Sequence, residues 1–453
     1  MKNGRKERRF SPLFLYAVYF HTSLRLRRMK MEVDINNYID DKQMSIPFCV
    51  PDISELEINE VVEVLKSGWI TTGPKTKKLE GLLADYLDVP KVICLNSQTA
   101  CGELSLRLMG IGAGSGGSAE DEVICASYTY TASASVIDHV GAKIVLVDCQ
   151  KDSVEMDYDA LEAAINEHTK AIIPVDIGGV PCDYKRIMEI VERKRPLFKP
   201  AGEMQEALGR VAVIDDAAHA LGASVKLDGK KVMLGAAADI TNFSFHAVKN
   251  FTTAEGGALA WNIKGIDNEA VYHKLQLLSL HGQSKDALSK NRVGDWEYDI
   301  IGPWYKYNMT DIMAGIGIAQ LSRYPKLLKK RRNLIGKYNE VLVPLGIGVL
   351  DHYNRRHTSS GHLFIARVPG ISEEERNQII YKMAQAGIAC NMHFKPLPML
   401  TAYKKMGFDI KDFPNAYNMY KNAITLPLYS KLTDLEANYV VNTFARIVKE
   451  YLK

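Results

Sequence analysis

The stretch Asp239–Trp261, DITNFSFHAVKNFTTAEGGALAW, determines how the rest of this 453-residue chain is interpreted. Its apolar runs, Ile240–Phe245 and Ala258–Trp261, flank a polar loop, a pattern that predicts a strand, a loop and a second strand. Lys249 lies in that loop among apolar residues, and partial burial would lower the pKa of its amine and free it for carbonyl chemistry. A lone lysine in such a loop is more often a surface residue, so its interpretation depends on its neighbours.

A second polar signal ends the predicted buried strand Val211–Asp216, VAVIDD. A carboxylate at the end of a buried strand is costly unless it is hydrogen-bonded or faces a cation, and a protonated pyridine nitrogen is such a cation. Lys249 and Asp216 are therefore the two groups that a pyridoxal phosphate enzyme needs. The amine holds the aldehyde as a Schiff base, and the acid keeps the ring an electron sink.

A phosphate site is predicted where the strand Val92–Leu95 turns into the helix Ala100–Met109. The turn contains Gln98 and Thr99, and the free amides of a helix N-terminus bind anions. An ordinary capped helix is the alternative, with Ser97 or Thr99 as the cap.

Seven sequence blocks, in one order, resemble the DegT/DnrJ/EryC1/StrS family of sugar aminotransferases, a branch of the fold type I pyridoxal phosphate enzymes. The resemblance covers roughly Ile46 to the C-terminus. The blocks are Ser67–Glu80 (SGWITTGPKTKKLE), Asn96–Leu104 (NSQTACGEL), Ser127–Ser133 (SYTYTAS), Pro174–Asp183 (PVDIGGVPCD), Ile214–Ala223 (IDDAAHALGA), Ser244–Ala258 (SFHAVKNFTTAEGGA) and Lys306–Leu321 (KYNMTDIMAGIGIAQL).

The resemblance implies an α/β fold like that of aspartate aminotransferase, with pyridoxal 5'-phosphate as the cofactor. A large domain with a mainly parallel sheet is expected over residues 44–325, and a smaller α+β domain over residues 326–453. Alternating predicted strands and helices independently favour a parallel sheet covered on both faces. Residues 1–43 are expected to lie outside the fold, as a non-native upstream extension or, alternatively, a peripheral membrane anchor.

The resemblance also implies roles for residues around Lys249 and Asp216. Gln98, Thr99 and Ser244 would bind the cofactor phosphate, and His219 would contact the phenolic oxygen. Tyr130 would stack on the pyridine ring, or Tyr128 would do so if the alignment of this block with the family is shifted.

Further residues are implied to act on the substrate or across a dimer. Asn308 would reach the cofactor phosphate of the partner in a homodimer with shared active sites. Trp69, Thr71, His393 and Tyr429 are candidate substrate contacts. Many relatives carry histidine where this chain has Asp176, and the role of Asp176 stays open.

Composition excludes several other classes of protein. Residues 1–43 hold ten Lys or Arg against five Asp or Glu, so the remainder is nearly neutral and offers no nucleic-acid surface. The apolar run Leu13–Phe20 is too short to cross a membrane. Seven cysteines without CxxC spacing predict free thiols in the cytoplasm.

No metal site is expected. His352, His357 and His362 are interpreted as surface residues because no acidic residue or cysteine accompanies them. The basic residues between Lys326 and Arg332 are interpreted as a solvated helix face.

The predicted function is transamination of a nucleotide-linked keto sugar with L-glutamate as amino donor, for polysaccharide or glycan biosynthesis. A UDP-linked 4-keto-6-deoxy hexose is the expected substrate. The alternatives are a pyridoxamine phosphate-dependent sugar dehydratase, whose members replace the Schiff-base lysine with histidine, and a non-catalytic auxiliary protein of the same fold. Lys249 argues against the dehydratase, and the presence of both Lys249 and Asp216 argues against the auxiliary protein.

Overall fold

The computed structural model describes residues 44–284 and 297–452. The predicted extension, residues 1–43, lies outside the described residues. From Met44 onward the chain forms one compact unit.

Thirteen strands are described, and seven of them form the central sheet in the order β1-β9-β8-β5-β4-β2-β3. The strands are β1 Lys91–Leu95, β2 Glu122–Ala126, β3 Lys143–Val147, β4 Thr169–Ile173, β5 Ala212–Asp216, β6 Ser224–Leu227, β7 Lys230–Met233, β8 Ile240–Ser244, β9 Gly257–Trp261, β10 Gly348–Val349, β11 His357–Thr358, β12 Phe364–Arg367 and β13 Ala423–Leu426. In the central sheet β9 runs antiparallel to both neighbours, and the other pairings are parallel. The predicted mainly parallel sheet is confirmed.

Helices cover both faces of this sheet. The described α-helices are α1 Glu55–Ser67, α2 Pro74–Leu87, α3 Gln98–Leu108, α4 Ala132–His139, α5 Tyr158–Ala164, α6 Tyr184–Arg193, α7 Glu203–Leu208, α8 Asn268–Ser279, α9 Asp311–Leu342, α10 Glu373–Gln385, α11 Thr401–Lys405, α12 Pro414–Asn422 and α13 Asp434–Val448. Capping residues explain several helix starts: Ser54, Ser372 and Thr433 each form a capping box, and Thr310 caps α9.

The central strands are buried on both faces, which explains why their sequences are continuous apolar runs. Successive residues of one strand enter different hydrophobic clusters: Val213 packs with one cluster and Ile214 with the other. By the same alternation, Asp216 lies on the face of Ile214 and Asp215 on the face of Val213.

Several residues predicted to belong to the site lie at the ends of strands along one edge of the sheet. Asp216 ends β5 and Ser244 ends β8, and Gly257 begins β9 opposite both Ser244 and Leu95 of β1. Ligands bind outside the carboxyl ends of such sheets.

The C-terminal part contains the small antiparallel sheet β10-β12-β13, packed with its own apolar cluster. The predicted domain boundary at residue 325 falls within α9, which continues through Pro325 for 32 residues. Because one helix spans the boundary, the division into two domains stays a prediction.

Three surface assignments were wrong. His352 and His362 are buried, and His362 hydrogen-bonds through Nδ1 to Asn250 Oδ1 at 2.9 Å. Arg331 is also buried, because α9 packs against the C-terminal part and its guanidinium donates to the carbonyl of Leu428 at 2.9 Å.

Candidate active site

A cavity of about 370 Å³ opens at the carboxyl edge of the sheet, a size typical of small-molecule sites. It brings together eight residues predicted from the sequence. They are Gln98, Thr99, Tyr130, Asp216, His219, Ser244, Lys249 and His393.

Lys249 enters the cavity from a tight loop between β8 and β9. The loop is closed by hydrogen bonds from Phe245 N–H to the Gly256 carbonyl and from Thr253 N–H to the Phe245 carbonyl, both 2.9 Å. Burial lowers the pKa of Lys249 to about 8, against the opposing effects of Asp216 and Cys49. About a tenth of the amine is therefore unprotonated at pH 7.

Asp216 is a buried carboxylate held in place by two donors. Ser133 Oγ donates to Oδ2 at 2.6 Å, and the Ala218 N–H donates to Oδ1 at 3.2 Å. Burial raises the pKa of Asp216, while the hydrogen bonds and the nearby Lys249 lower it. A cationic nitrogen entering the cavity would stabilise the charged form of this carboxyl.

His219 is oriented by the backbone. The Gly178 N–H donates to His219 Nδ1 at 3.2 Å, which leaves Nε2 as the protonated nitrogen of the neutral ring. Burial lowers the pKa of His219 well below its usual range, so the ring stays neutral. Its ring stacks on Phe394 with centroids 5.9 Å apart. His219 can therefore donate one hydrogen bond into the cavity.

The start of α3 has the groups that could form an anion cradle. Ser97 is the cap, and its hydroxyl accepts from the Ala100 N–H at 3.1 Å, while Gln98 and Thr99 line the cavity beyond it. Ser244 faces the same space from the end of β8. Helix-terminal amides with neighbouring hydroxyls suit a phosphate group.

Gly257 allows this cradle to form. A Cβ at this position would lie 2.6 Å from Gln98 N and 2.7 Å from the Ser97 carbonyl oxygen. We expect Gly257→Ala to cost about 1–3 kcal/mol of stability and to weaken cofactor binding, because backbone must move. Thermal unfolding and cofactor titration check this. The matched control is Gly81→Ala on α2, where a Cβ meets nothing within 4 Å. Unchanged unfolding and cofactor affinity in Gly257→Ala would contradict the assignment.

The two tyrosines of the SYTYTAS block lie in different places. Tyr130 lines the cavity and is 61% exposed, with its ring 6.0 Å from Phe394. Tyr128 is fully buried, and its hydroxyl donates to the His393 carbonyl at 2.7 Å. Of the two tyrosines, Tyr130 is therefore the one that lines the cavity.

Four predicted residues lie elsewhere. Trp69 Nε1 donates to the Thr72 carbonyl at 3.0 Å, and Asn308 Nδ2 donates to Thr72 Oγ1 at 2.6 Å. Thr71 and Asn308 line a second cavity of about 180 Å³. Tyr429 is buried in the C-terminal cluster. Within one chain, none of these four lines the cavity around Lys249.

Several residues that line the cavity were not predicted from the sequence. Phe48, Cys49, His362 and Phe394 approach from segments far from Lys249 in the chain, and no local pattern marks them. Ser133 could have been predicted from the sequence, because it lies in the first turn of the helix that follows β2.

Metal-binding clusters and helices able to span a membrane are both absent from the described residues. Residues 44–284 and 297–452 contain no cluster of three or more metal-ligating side chains. No helix within those ranges is both long enough and apolar enough to cross a membrane.

Comparison with known proteins decides the family. The model of the DegT/DnrJ/EryC1/StrS aminotransferase family matches residues 51–445. The chain belongs to this family.

Similar proteins align with most of this chain and with nearly the whole of their own length. MJ1066 of Methanocaldococcus jannaschii is 40% identical over 90% of this chain and 99% of its own. The spore coat polysaccharide biosynthesis protein SpsC of Bacillus subtilis is 35% identical over 89% of this chain and 97% of its own. Spr1654 of Streptococcus pneumoniae, assigned as a sugar aminotransferase, is 53% identical in its pyridoxamine phosphate form, with a TM-score of 0.85 over 90% of this chain and 100% of its own. Its pyridoxal phosphate form matches with the same TM-score.

The cofactor of this family is pyridoxal phosphate, and the chain is a pyridoxal phosphate-dependent aminotransferase. The cavity suits that group: a buried carboxylate needs a cationic partner, an amine of lowered pKa faces the same space, and a helix start offers amides to a phosphate. When bound, the cofactor supplies a carbonyl for amines and a ring that withdraws electrons.

Uptake of the cofactor by the apoenzyme is expected to accelerate as the pH rises through about 8 and then to level off. If Lys249 is the residue that holds the cofactor, only its unprotonated amine would react with the aldehyde, and its pKa is about 8. Stopped-flow absorbance against pH measures this rate. A midpoint near 10.5, the ordinary lysine value, would show that Lys249 is not desolvated in this way.

Proposed function

We propose that this enzyme transaminates a nucleotide-linked keto sugar, with L-glutamate as the amino donor. The observation that carries the proposal is the pairing of Lys249 and Asp216 across one cavity in a chain of the sugar aminotransferase type. The substrate proposed is a UDP-linked 4-keto-6-deoxy hexose. The similarity to SpsC, named for spore coat polysaccharide biosynthesis, supports a role in making a cell-surface polysaccharide or glycan.

Lys249 is proposed to hold the cofactor aldehyde and, once displaced by the donor amine, to carry the proton between the donor α-carbon and the cofactor. Its lowered pKa suits this role, because a base works best when its pKa is near the operating pH. Asp216 is proposed to hold the proton on the ring nitrogen. The neutral His219 would donate from Nε2 to the phenolic oxygen.

The remaining cavity residues are proposed to hold the two ends of the cofactor and the sugar. Gln98, Thr99 and Ser244 would bind the phosphate, and Tyr130 would stack on the ring. His393 is the predicted substrate contact that lines the cavity, and its Nδ1 lies 3.0 Å from Thr425 Oγ1. Release of the keto acid before the sugar binds implies ping-pong kinetics.

A homodimer with shared sites is part of the proposal. Helix α1 and the turn after it expose Ile58, Val62, Leu65 and Ile70, with exposed fractions of 48, 38, 54 and 50%, an apolar surface that a second subunit would cover. Asn308, Thr71 and Trp69 lie away from the Lys249 cavity of their own chain, and each would act on the partner's site. Light scattering should give the mass of a dimer. A monomer that is fully active at assay concentrations would exclude shared sites.

The proposed compartment is the cytoplasm. All seven cysteines are free thiols, the state expected in a reducing compartment.

Single-turnover amination tests the substrate. The holoenzyme is first treated with L-glutamate and freed of small molecules. It is then mixed with UDP-4-keto-6-deoxy hexose, and in parallel with the dTDP analogue. Mass spectrometry should show the UDP amino sugar formed in proportion to enzyme. Preferred amination of the dTDP sugar would overturn the nucleotide assignment, and removal of a hydroxyl without amination would favour the dehydratase.

A further inference from the structure

The aspartate beside the cofactor acid faces the other side of the sheet. Asp215 precedes Asp216 on β5, so its side chain points away from the cavity that Asp216 lines, and it is 0% exposed. A second buried carboxyl, Asp176, lies next to the end of β4 and is also 0% exposed. The backbone joins the two segments: the Asp176 N–H donates to the Asp216 carbonyl at 3.2 Å, and the Asp216 N–H to the Pro174 carbonyl at 2.9 Å.

The two buried carboxyls have unequal surroundings. Asp176 accepts from the Cys182 N–H at 2.8 Å, and the Tyr184 hydroxyl lies 3.2 Å from each of its oxygens. Among the described residues, neither oxygen of Asp215 forms a hydrogen bond of ordinary length and angle with a donor, because the nearby Tyr184 hydroxyl is directed at the oxygens of Asp176. Thr241 on β8 lies opposite Asp215 on β5, but its hydroxyl does not donate to Asp215, because that hydroxyl has no hydrogen-bonding partner among the described residues.

An ionised carboxylate accepts hydrogen bonds and donates none, whereas a protonated one donates. A buried carboxylate that receives no hydrogen bond and faces no cation is very costly. Among the described residues, no lysine, arginine or histidine is among the groups that most affect the pKa of Asp176 or Asp215. Asp215 is stable in this position if it carries the proton itself and its neighbour accepts it.

We propose that Asp215 is held as a neutral carboxylic acid that donates a hydrogen bond to Asp176, so that Asp216 is the charged end of strand β5. Atoms balance without a co-reactant, because the proton only moves between the two carboxyls and water. Asp215 is then a positioning residue, which acts on the cofactor through Asp216.

The charges around the pair agree with this assignment. Burial, the charge of Asp176 and the charge of Asp216 raise the pKa of Asp215 well above its usual range, while Tyr184 lowers it. Burial raises the pKa of Asp176 to about 7, and hydrogen bonds from Cys182, Tyr184 and Asp215 lower it. Burial raises the pKa values of Cys182 and Tyr184, so both stay neutral. None of these groups is a cation.

The arrangement has a consequence for the cofactor site. If Asp215 were ionised, its negative charge would raise the pKa of Asp216, the next residue on β5, and Asp216 would more readily take up a proton. With Asp215 neutral, Asp216 keeps the negative charge that holds the proton on the pyridine nitrogen. This inference rests on the cofactor and not on the identity of the sugar.

Infrared spectroscopy of the holoenzyme tests the inference directly. With aspartate carboxyls isotope-labelled, the wild type at about pH 8 should show the carbonyl stretch of a protonated, buried aspartic acid, and that band should vanish in Asp215→Asn. As the pH falls through about 7, a second such band should appear from Asp176. The wild-type titration alone remains decisive if the variant does not fold.

A matched pair of isosteric variants gives a second readout. Asp215→Asn replaces one neutral donor with another, so its cofactor affinity should stay within about fivefold of wild type. Asp176→Asn removes the acceptor of several hydrogen bonds and should lower the unfolding temperature more than Asp215→Asn does. The inference is overturned if the wild type lacks the band at about pH 8 or if the band persists in Asp215→Asn. It is also overturned if Asp176→Asn unfolds at the same temperature as Asp215→Asn or at a higher one.

Discussion

Lys249→Ala is expected to lower kcat for transamination by about 10³-fold or more. The variant would lose both the amine proposed to hold the cofactor and the base proposed to carry the proton. The proposed phosphate-binding residues Gln98, Thr99 and Ser244 remain, so the variant should still bind the cofactor, without the absorbance of the lysine-linked form. Steady-state kinetics and an absorbance spectrum measure the two effects.

The control for this variant is Lys264→Ala, which removes an exposed lysine just beyond β9. It should leave kcat unchanged. A small primary amine added to Lys249→Ala should restore part of the rate, because it supplies the missing base. An alanine variant that keeps more than about a tenth of the wild-type kcat would mean that another group performs the chemistry.

Asp216→Asn is expected to lower kcat by about 10²–10³-fold, because a neutral amide cannot stabilise a protonated ring nitrogen. Asparagine keeps the shape of the side chain and can still accept from Ser133 Oγ. The loss should therefore be in the chemical step more than in folding, and thermal unfolding should separate the two.

Asp228→Asn is the matched control for the loss of a carboxylate. Asp228 is exposed in the turn between β6 and β7, with φ of 49°, a conformation that asparagine also adopts. It should have wild-type kcat. If Asp216→Asn behaves like Asp228→Asn, Asp216 does not hold the ring nitrogen.

The centre of the site could be predicted because each of its residues marks a boundary between elements. Asp216 and Ser244 end apolar runs, and Gln98 begins a helix after one, so each falls at the carboxyl edge of a sheet buried on both faces. Periodicity and turn residues are local signals, and they are enough to locate such edges.

Residues brought in by packing could not be predicted in the same way. His362 belongs to the cavity because its ring is held by Asn250, 112 positions earlier, and no spacing announces that contact. Arg331 was taken for a surface residue because it stands in a basic run, although α9 turns it towards the carbonyls of the C-terminal part. The predicted domain boundary at residue 325 lies inside a helix that continues through Pro325.

The positions of Trp69, Thr71 and Asn308 show another limit of local signals. The resemblance assigned them to substrate or cofactor, whereas in one chain they lie around Thr72 and away from Lys249. A role in catalysis for them depends on a partner subunit.

The most direct test of the central claim is the absorbance spectrum of the purified enzyme before and after L-glutamate, followed by a UDP-4-keto-6-deoxy hexose. We expect the band of the lysine-linked cofactor to be replaced by that of pyridoxamine phosphate when glutamate is added, and to return when the sugar is added. Lys249→Ala should show no such cycle. A wild-type band that glutamate leaves unchanged, or a cycle that persists in Lys249→Ala, would contradict the assignment of Lys249 and Asp216 as the catalytic pair.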